Sequence, residues 1–188
     1  MAQRQTAGAG LRSVATAMLF LLAACTKPVE IKVTEEGVGP ITGITAFDPD
    51  AVSVLLPGST VSRQQVSREG EKYPVIIVEE NGVKEMEVVP DADERSVAGV
   101  IVFSPDIRDM HGIHVGNVLS DIYGKDEKPQ CLPGVEEYAG HLFCPAADST
   151  RIYYELSGEW DGPDGQVPPD DVIRNWKVVA IHWRASAV

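Results

Sequence analysis

The chain has 188 residues, 16 of them basic and 28 acidic, giving a formal charge of −12 at pH 7 with 44% hydrophobic residues. A field of that sign repels polyanions and excludes nucleic acid as a partner. The length is that of one domain, with a core large enough to need no structural metal.

The chain opens as an export signal. Arg4 and Arg12 give a positive start, and no acid occurs in the first 24 residues. The apolar run from Val14 to Leu22 is too short to anchor in a bilayer. It ends in Leu22-Ala23-Ala24-Cys25, which resembles the lipobox of bacterial lipoproteins: an aliphatic residue, two small ones, and the cysteine whose thiol takes a diacylglyceryl group before cleavage. A plain secretory signal with a chance cysteine is the alternative. Thr26, where the sorting rule of Gram-negative lipoproteins looks for Asp, implies by the same resemblance the outer membrane, with the protein facing the periplasm. Two or three acyl chains hold a protein stably where one binds marginally. The expected organisation is a signal over 1–24, a lipidated Cys25 with a tether to 30, and a folded part over 31–188. The tether spans at most about 17 Å. Without the signal, 14 basic residues stand against 28 acidic ones, a net −14.

Ile31 to Thr34 alternates like a strand, and Gly37-Val38-Gly39-Pro40 ends it. Asp48-Pro49-Asp50 reads as a helix start ahead of Ala51 to Leu56: a capping side chain, proline at the first helical position, an acid in the first turn. Pro57-Gly58 stops it. Val75 to Val78 and Val83 to Val89 flank Asn81-Gly82, the pair that a two-residue type I′ hairpin favours. Val97 to Phe103 is a third β run, with Gly99 a candidate bulge. Ile113 to Gly124 reads as strand, turn and one helical turn. After a cysteine-containing loop, Arg151 to Ser157 is a strand, and Asp161 to Pro169 is a Gly/Pro/Asp loop. Asp170-Asp171 is placed to cap a brief helical turn, and the last strand runs from Trp176 to Arg184 with Val179, Ile181 and Trp183 on one face. Strands dominate, which predicts an all-β, sandwich-like single domain with short helical turns.

Cys131 and Cys144 lie 13 positions apart in a chain expected to be exported, where thiols oxidise, so a disulfide is expected. A metal pair is the alternative, unsupported by any C-x-x-C spacing or His-Cys cluster.

The C-terminal run Ile152-Tyr153-Tyr154-Glu155-Leu156-Ser157-Gly158-Glu159-Trp160-Asp161-Gly162-Pro163, with Pro168, Asp170-Asp171, Asn175-Trp176-Lys177-Val178 and Trp183-Arg184, resembles the YfeY-like family of bacterial lipoproteins. That family is described as regulated by the sigma-E envelope-stress factor. Val33-Thr34-Glu35-Glu36-Gly37-Val38-Gly39 and Gly112-Ile113-His114-Val115-Gly116 agree, and Cys131 and Cys144 fall where the family has a cysteine pair. The resemblance implies an all-β, sandwich-like fold, an outer-membrane lipid anchor and a link to envelope stress. It implies no activity.

Candidate sites are few. His111 and His114 have an i, i+3 spacing, but Gly112 disfavours a helix, and in a strand the rings face opposite sides. Neither His141 nor His182 has a neighbouring Cys or Asp pattern to recruit it. From Asp161, the calcium-loop offsets hold Pro163, Gly165 and Val172, so an EF-hand fails; weak cation binding through Asp161, Asp164, Asp170 and Asp171 is the residual reading. Glu79-Glu80 are adjacent and point apart in a strand. No G-x-S-x-G, Walker A or H-E-x-x-H motif occurs. Trp183 is expected in the core, and Trp160, flanked by Glu159 and Asp161, is expected to be partly exposed as a contact surface.

The expected function is therefore a non-catalytic binding or assembly-accessory module. It would have no cofactor beyond the lipid on Cys25, and as partners the membrane, the lipoprotein export and sorting machinery, and an envelope protein. The alternatives are a small-ligand carrier, marked by a cavity of about 300 Å³ or more, and a cell-wall or glycan hydrolase, marked by converging carboxylates in a cleft.

Overall fold

The computed structural model describes Met1 and residues 30–125, 127–163 and 165–185. Within them the chain forms two sheets and short helices. The small sheet holds β1 (Lys32–Val33), β2 (Gly37–Val38), β3 (Ile41–Thr42) and β8 (Arg108–Asp109), in the order β3-β2-β1-β8. The large sheet holds β4 (Thr60–Arg68), β5 (Glu71–Glu80), β6 (Val83–Pro90), β7 (Val97–Val102), β9 (Leu132–Pro133), β10 (His141–Pro145), β11 (Ile152–Ser157) and β12 (Lys177–Arg184). Its order is β4-β5-β6-β7-β12-β11-β10-β9, antiparallel throughout.

Local chemistry explains most of these elements. The β5–β6 turn carries Asn81 at φ 52° and Gly82 at φ 79°, the two positive values a type I′ turn requires. Helix α1 (Pro49–Leu55) starts as expected: the Asp48 carboxylate accepts the N–H groups of Asp50 at 2.9 Å and Ala51 at 3.1 Å. Helix α3 (Asp170–Ile173) departs from expectation. Pro169 occupies its cap without a side-chain bond, and Asp170 and Asp171 lie inside the first turn. They favour the positive end of the helix there rather than capping it. The strand expected at Ile113 does not form, because Asp109 takes the Ile113 N–H at 2.8 Å and the His111 N–H at 2.9 Å into a turn. Helix α2 (Leu119–Ile122) follows.

Cross-strand register builds the core. Val78, Met86, Val102, Ile181, Tyr154 and Cys144 form one row across six strands. Ile76, Val88, Val100, Trp183 and Ile152 form the next. Both rows face Val33, Val38, Ile41, Phe47, Val52 and Ile107, which come from the small sheet, α1 and the connecting segments. Trp183 is 1% exposed, a core residue as expected. Val179 is not in that row. Leu156 pairs with Val178 and Glu155 with Ala180, so Val179 is the extra residue of a bulge and Val178 takes the core position. Strand β7 is also bulged, at Ala98 beside Gly99.

Cys131 and Cys144 form the expected disulfide, with Cα atoms 4.1 Å apart. It joins the start of edge strand β9 to β10, and both cysteines are buried. A loop of that size contributes about 3 kcal/mol in the chain-entropy model. The Cys131→Ala/Cys144→Ala double variant should therefore lose about 3 kcal/mol in urea unfolding, and reductant should destabilise the wild type but not the variant.

Candidate functional site

Eight strands laid flat would separate β4 from β9 by roughly 33 Å at about 4.8 Å per step. Here the two edges approach each other. The carboxylate of Glu69, at the β4–β5 tip, lies within 4.8 Å of those of Glu136 and Glu137 in the 3₁₀ turn Glu136–Tyr138 that follows β9. Contact with Glu136 holds the Glu69 carboxyl above its ordinary value. The sheet is therefore strongly curled, and its concave face is the one turned away from the core.

That face carries its own rows. Ile77, Glu87, Ile101, His182 and Tyr153 stand in line across five strands, and Glu155, Phe143 and Leu132 form a shorter line. Between the walls lies an open cavity of 610 Å³. Ile101, Leu132, Val135, Tyr138 and Phe143 supply apolar and aromatic surface, and Arg68, His182 and Arg184 supply the cations or potential cations. No carboxylate lines it among the described residues. Tyr138 and His182 both meet Phe143 edge-on, each with ring centroids 5.2 Å apart.

Two buried carboxylates stand behind this lining. Glu87, 3% exposed, accepts from Arg68 and from Lys84 Nζ at 2.8 Å. Glu155, 6% exposed, accepts from His141 Nδ1 at 2.5 Å and His182 Nε2 at 2.7 Å. An ionised carboxylate only accepts, so both imidazoles carry their proton on the nitrogen that faces Glu155. His182 Nδ1 has no hydrogen-bond partner among the described residues. Burial pushes the Glu155 carboxyl up, but the His182 and His141 hydrogen bonds together outweigh it and hold the group below its ordinary value.

Sequence reasoning missed this His-Glu-His cluster by looking for Cys or Asp near each histidine. The recruiting acid is one strand over and offset diagonally. The available signal was Glu155 between Tyr154 and Leu156, a charged residue in a strand with little solvent on either face.

The expected sites fall elsewhere. His111 Nε2 meets the Ala147 carbonyl at 3.1 Å and His114 Nδ1 the Val115 carbonyl at 2.9 Å, which gives each a separate structural partner. Asp164 and Cys25 lie outside the described residues. Among the described residues, Asp161, Asp170 and Asp171 form no convergent ligand set; the sole such group is Glu69, Glu136 and Glu137, all exposed. Glu159 and Asp161 are exposed, and Trp160 is half-buried, packed against the core with Gly162 under its ring. A Cβ at Gly162 would overlap the indole, and one at Gly158 would overlap Trp176.

Trp160→Ala should cost about 2 kcal/mol, between a surface change and the emptying of a core aromatic. Gly162→Ala should unseat the indole, read as a red shift in tryptophan emission. For Glu155, a carboxyl held below its unfolded value stabilises the fold fully above that value, near 4.5, and the contribution is lost as pH falls through the folded value. Melting temperature should fall more steeply from about pH 5 to about pH 3 in the wild type than in Glu155→Gln. Parallel profiles would remove the carboxylate's role.

Comparison with known proteins places the fold in a family. The family model described as a protein of unknown function, DUF1131, matches residues 26–185. The uncharacterized protein YfeY of Escherichia coli (strain K12) is 31% identical over 153 residues, covering 81% of this chain and 79% of that protein. The crystal structure of the uncharacterized protein yfeY from Escherichia coli matches with a TM-score of 0.69 at 30% identity, over 81% of this chain and 99% of that one. The chain belongs to the DUF1131, or YfeY-like, family of proteins of unknown function.

Proposed function

We propose that this chain is a non-catalytic binding module, held by lipid on Cys25 at the periplasmic side of the outer membrane, whose ligand occupies the concave face of the large sheet. The carrying observation is the 610 Å³ cavity, within the roughly 300–1,000 Å³ of small-molecule sites. It lies outside the core rather than between the sheets, so a ligand enters without disturbing the packing that holds the fold. Binding rather than turnover is supported by the buried acids: Glu87 and Glu155 are each held by two partners, and neither lines the cavity. A hydrolase would need two carboxylates converging on substrate. The anchor rests on the Leu22-Ala23-Ala24-Cys25 box, and the export and sorting machinery and the envelope-stress link come with the family resemblance. The protein needs no cofactor besides its lipid.

Two experiments test the reading. Cys25→Ser should abolish palmitate labelling and release the protein from the outer-membrane fraction; a variant that stays there without label overturns the anchor. For the cavity, Val135 is 66% exposed, so Val135→Asp should change stability by less than about 0.5 kcal/mol. Native mass spectrometry of the full lipidated chain should show a non-covalent ligand on the wild type that this variant loses. A wild type without any such adduct, before or after exposure to envelope extract, overturns the binding reading.

A further inference from the structure

We infer that the cavity takes an anionic amphiphile: a hydrocarbon chain along its apolar wall, with a carboxylate or phosphate head beside Arg184 and His182. The inference rests on the binding reading above and adds the ligand's chemical class.

Charge separates this surface from the rest of the molecule. The chain has 28 acidic residues against 16 basic ones, yet the described lining holds two arginines, a histidine and no acid. Arg184 is exposed, stacks on Tyr153 with its guanidinium carbon 5.3 Å from the ring centroid, and pairs with no carboxylate among the described residues. The ring contact leaves the guanidinium N–H groups available to a planar or tetrahedral oxyanion. Arg68, the other arginine of the lining, shares the single carboxylate of Glu87 with Lys84, so that cluster keeps a net positive charge. His182, held by Glu155 through Nε2, stands in the same wall.

The rest of the lining is apolar. Leu132 and Val135 are 67% and 66% exposed at the rim, and Ile101, Phe143 and Tyr138 continue the surface inward. Two large aliphatic side chains held in water at the mouth of a cavity are the signature of a surface that is covered when occupied. A purely polar anion would leave that wall wet, and a neutral hydrocarbon would leave Arg184 without a counter-charge.

The test uses the full lipidated chain in phosphatidylcholine vesicles, which supply no anionic lipid. Three photoactivatable probes share one chain and differ in the head: diazirine-bearing palmitate, lysophosphatidate and palmityl alcohol. The anionic probes should label the peptides holding Leu132, Val135 and Phe143 about tenfold more than the alcohol, the factor expected for one charge-assisted hydrogen bond. Arg184→Gln should bring the anionic probes down to the level of the alcohol, and Arg184→Lys should restore part of the difference. Preference between palmitate and lysophosphatidate identifies the head group, and either supports the inference. Equal labelling by the alcohol overturns the anionic class and leaves the binding module standing. No labelling of these peptides by any probe overturns both.

Discussion

Strand β11 is held from both faces by two consecutive side chains. Tyr154 points into the core and donates its hydroxyl to Asp109, whose other oxygen takes the N–H groups of His111 and Ile113. Glu155 points the other way and takes one N–H from each of His141 and His182. Burial, reinforced by the Asp109 carboxylate, pushes the Tyr154 phenol far up, so it stays a donor. A one-residue slip of β11 would send the carboxylate towards Asp109 and the tyrosine into the cavity. Such a slip leaves a buried charge unpaired, at a cost of several kcal/mol. Apolar alternation alone would tolerate more registers than this. The two polar anchors fix β11, and through it β10 and β12, the strands that carry Phe143, His182 and Arg184.

The shape of the cavity follows from where the large sheet bends. Extra residues interrupt three ladders: Glu85 between β5 and β6, Ala98 between β6 and β7, and Val179 between β11 and β12. Each bulge increases local twist and turns its strand. Their sum brings the β4–β5 tip to the 3₁₀ turn beyond β9, and on the β4 side Arg68 reaches across the concave face to Glu87 two strands away. One face of the sheet can then pack tightly while the other stays open.

The sequence made visible those parts whose cause is local. The Asn81-Gly82 turn, the Asp48 cap and the Cys131–Cys144 pair each depend on a few residues and took the expected form. Strand β4 went unrecognised because Ser62, Arg63, Gln64, Gln65 and Ser67 give no apolar alternation; it is an edge strand held by pairing along β5. The bulge at Val179 reversed the phase of β12, which no periodicity in that strand announces. Strand β10 was lost inside the cysteine loop, and with it His141. The concave face was the least legible part, since its members come from seven of the eight strands and meet only through register and curl.

Two carboxylates inside such an acidic chain would ordinarily be read as catalytic, but their geometry argues for support. Glu87 restrains Arg68 and Lys84, two long side chains that would otherwise lose considerable rotamer freedom on binding anything. Glu155 sets the tautomer and tilt of His182, a residue of the cavity wall. Each acid is shielded by the group it orients, so the lining stays positive although the molecule is strongly negative. Preorganised cations also cost less to engage than mobile ones. The concave face thus differs from the surrounding surface in sign, in rigidity and in apolar content together. Those three properties have one origin: a sheet curled tightly enough to bury a carboxylate behind Arg68 and behind His182, while Arg184 stands at the wall without one.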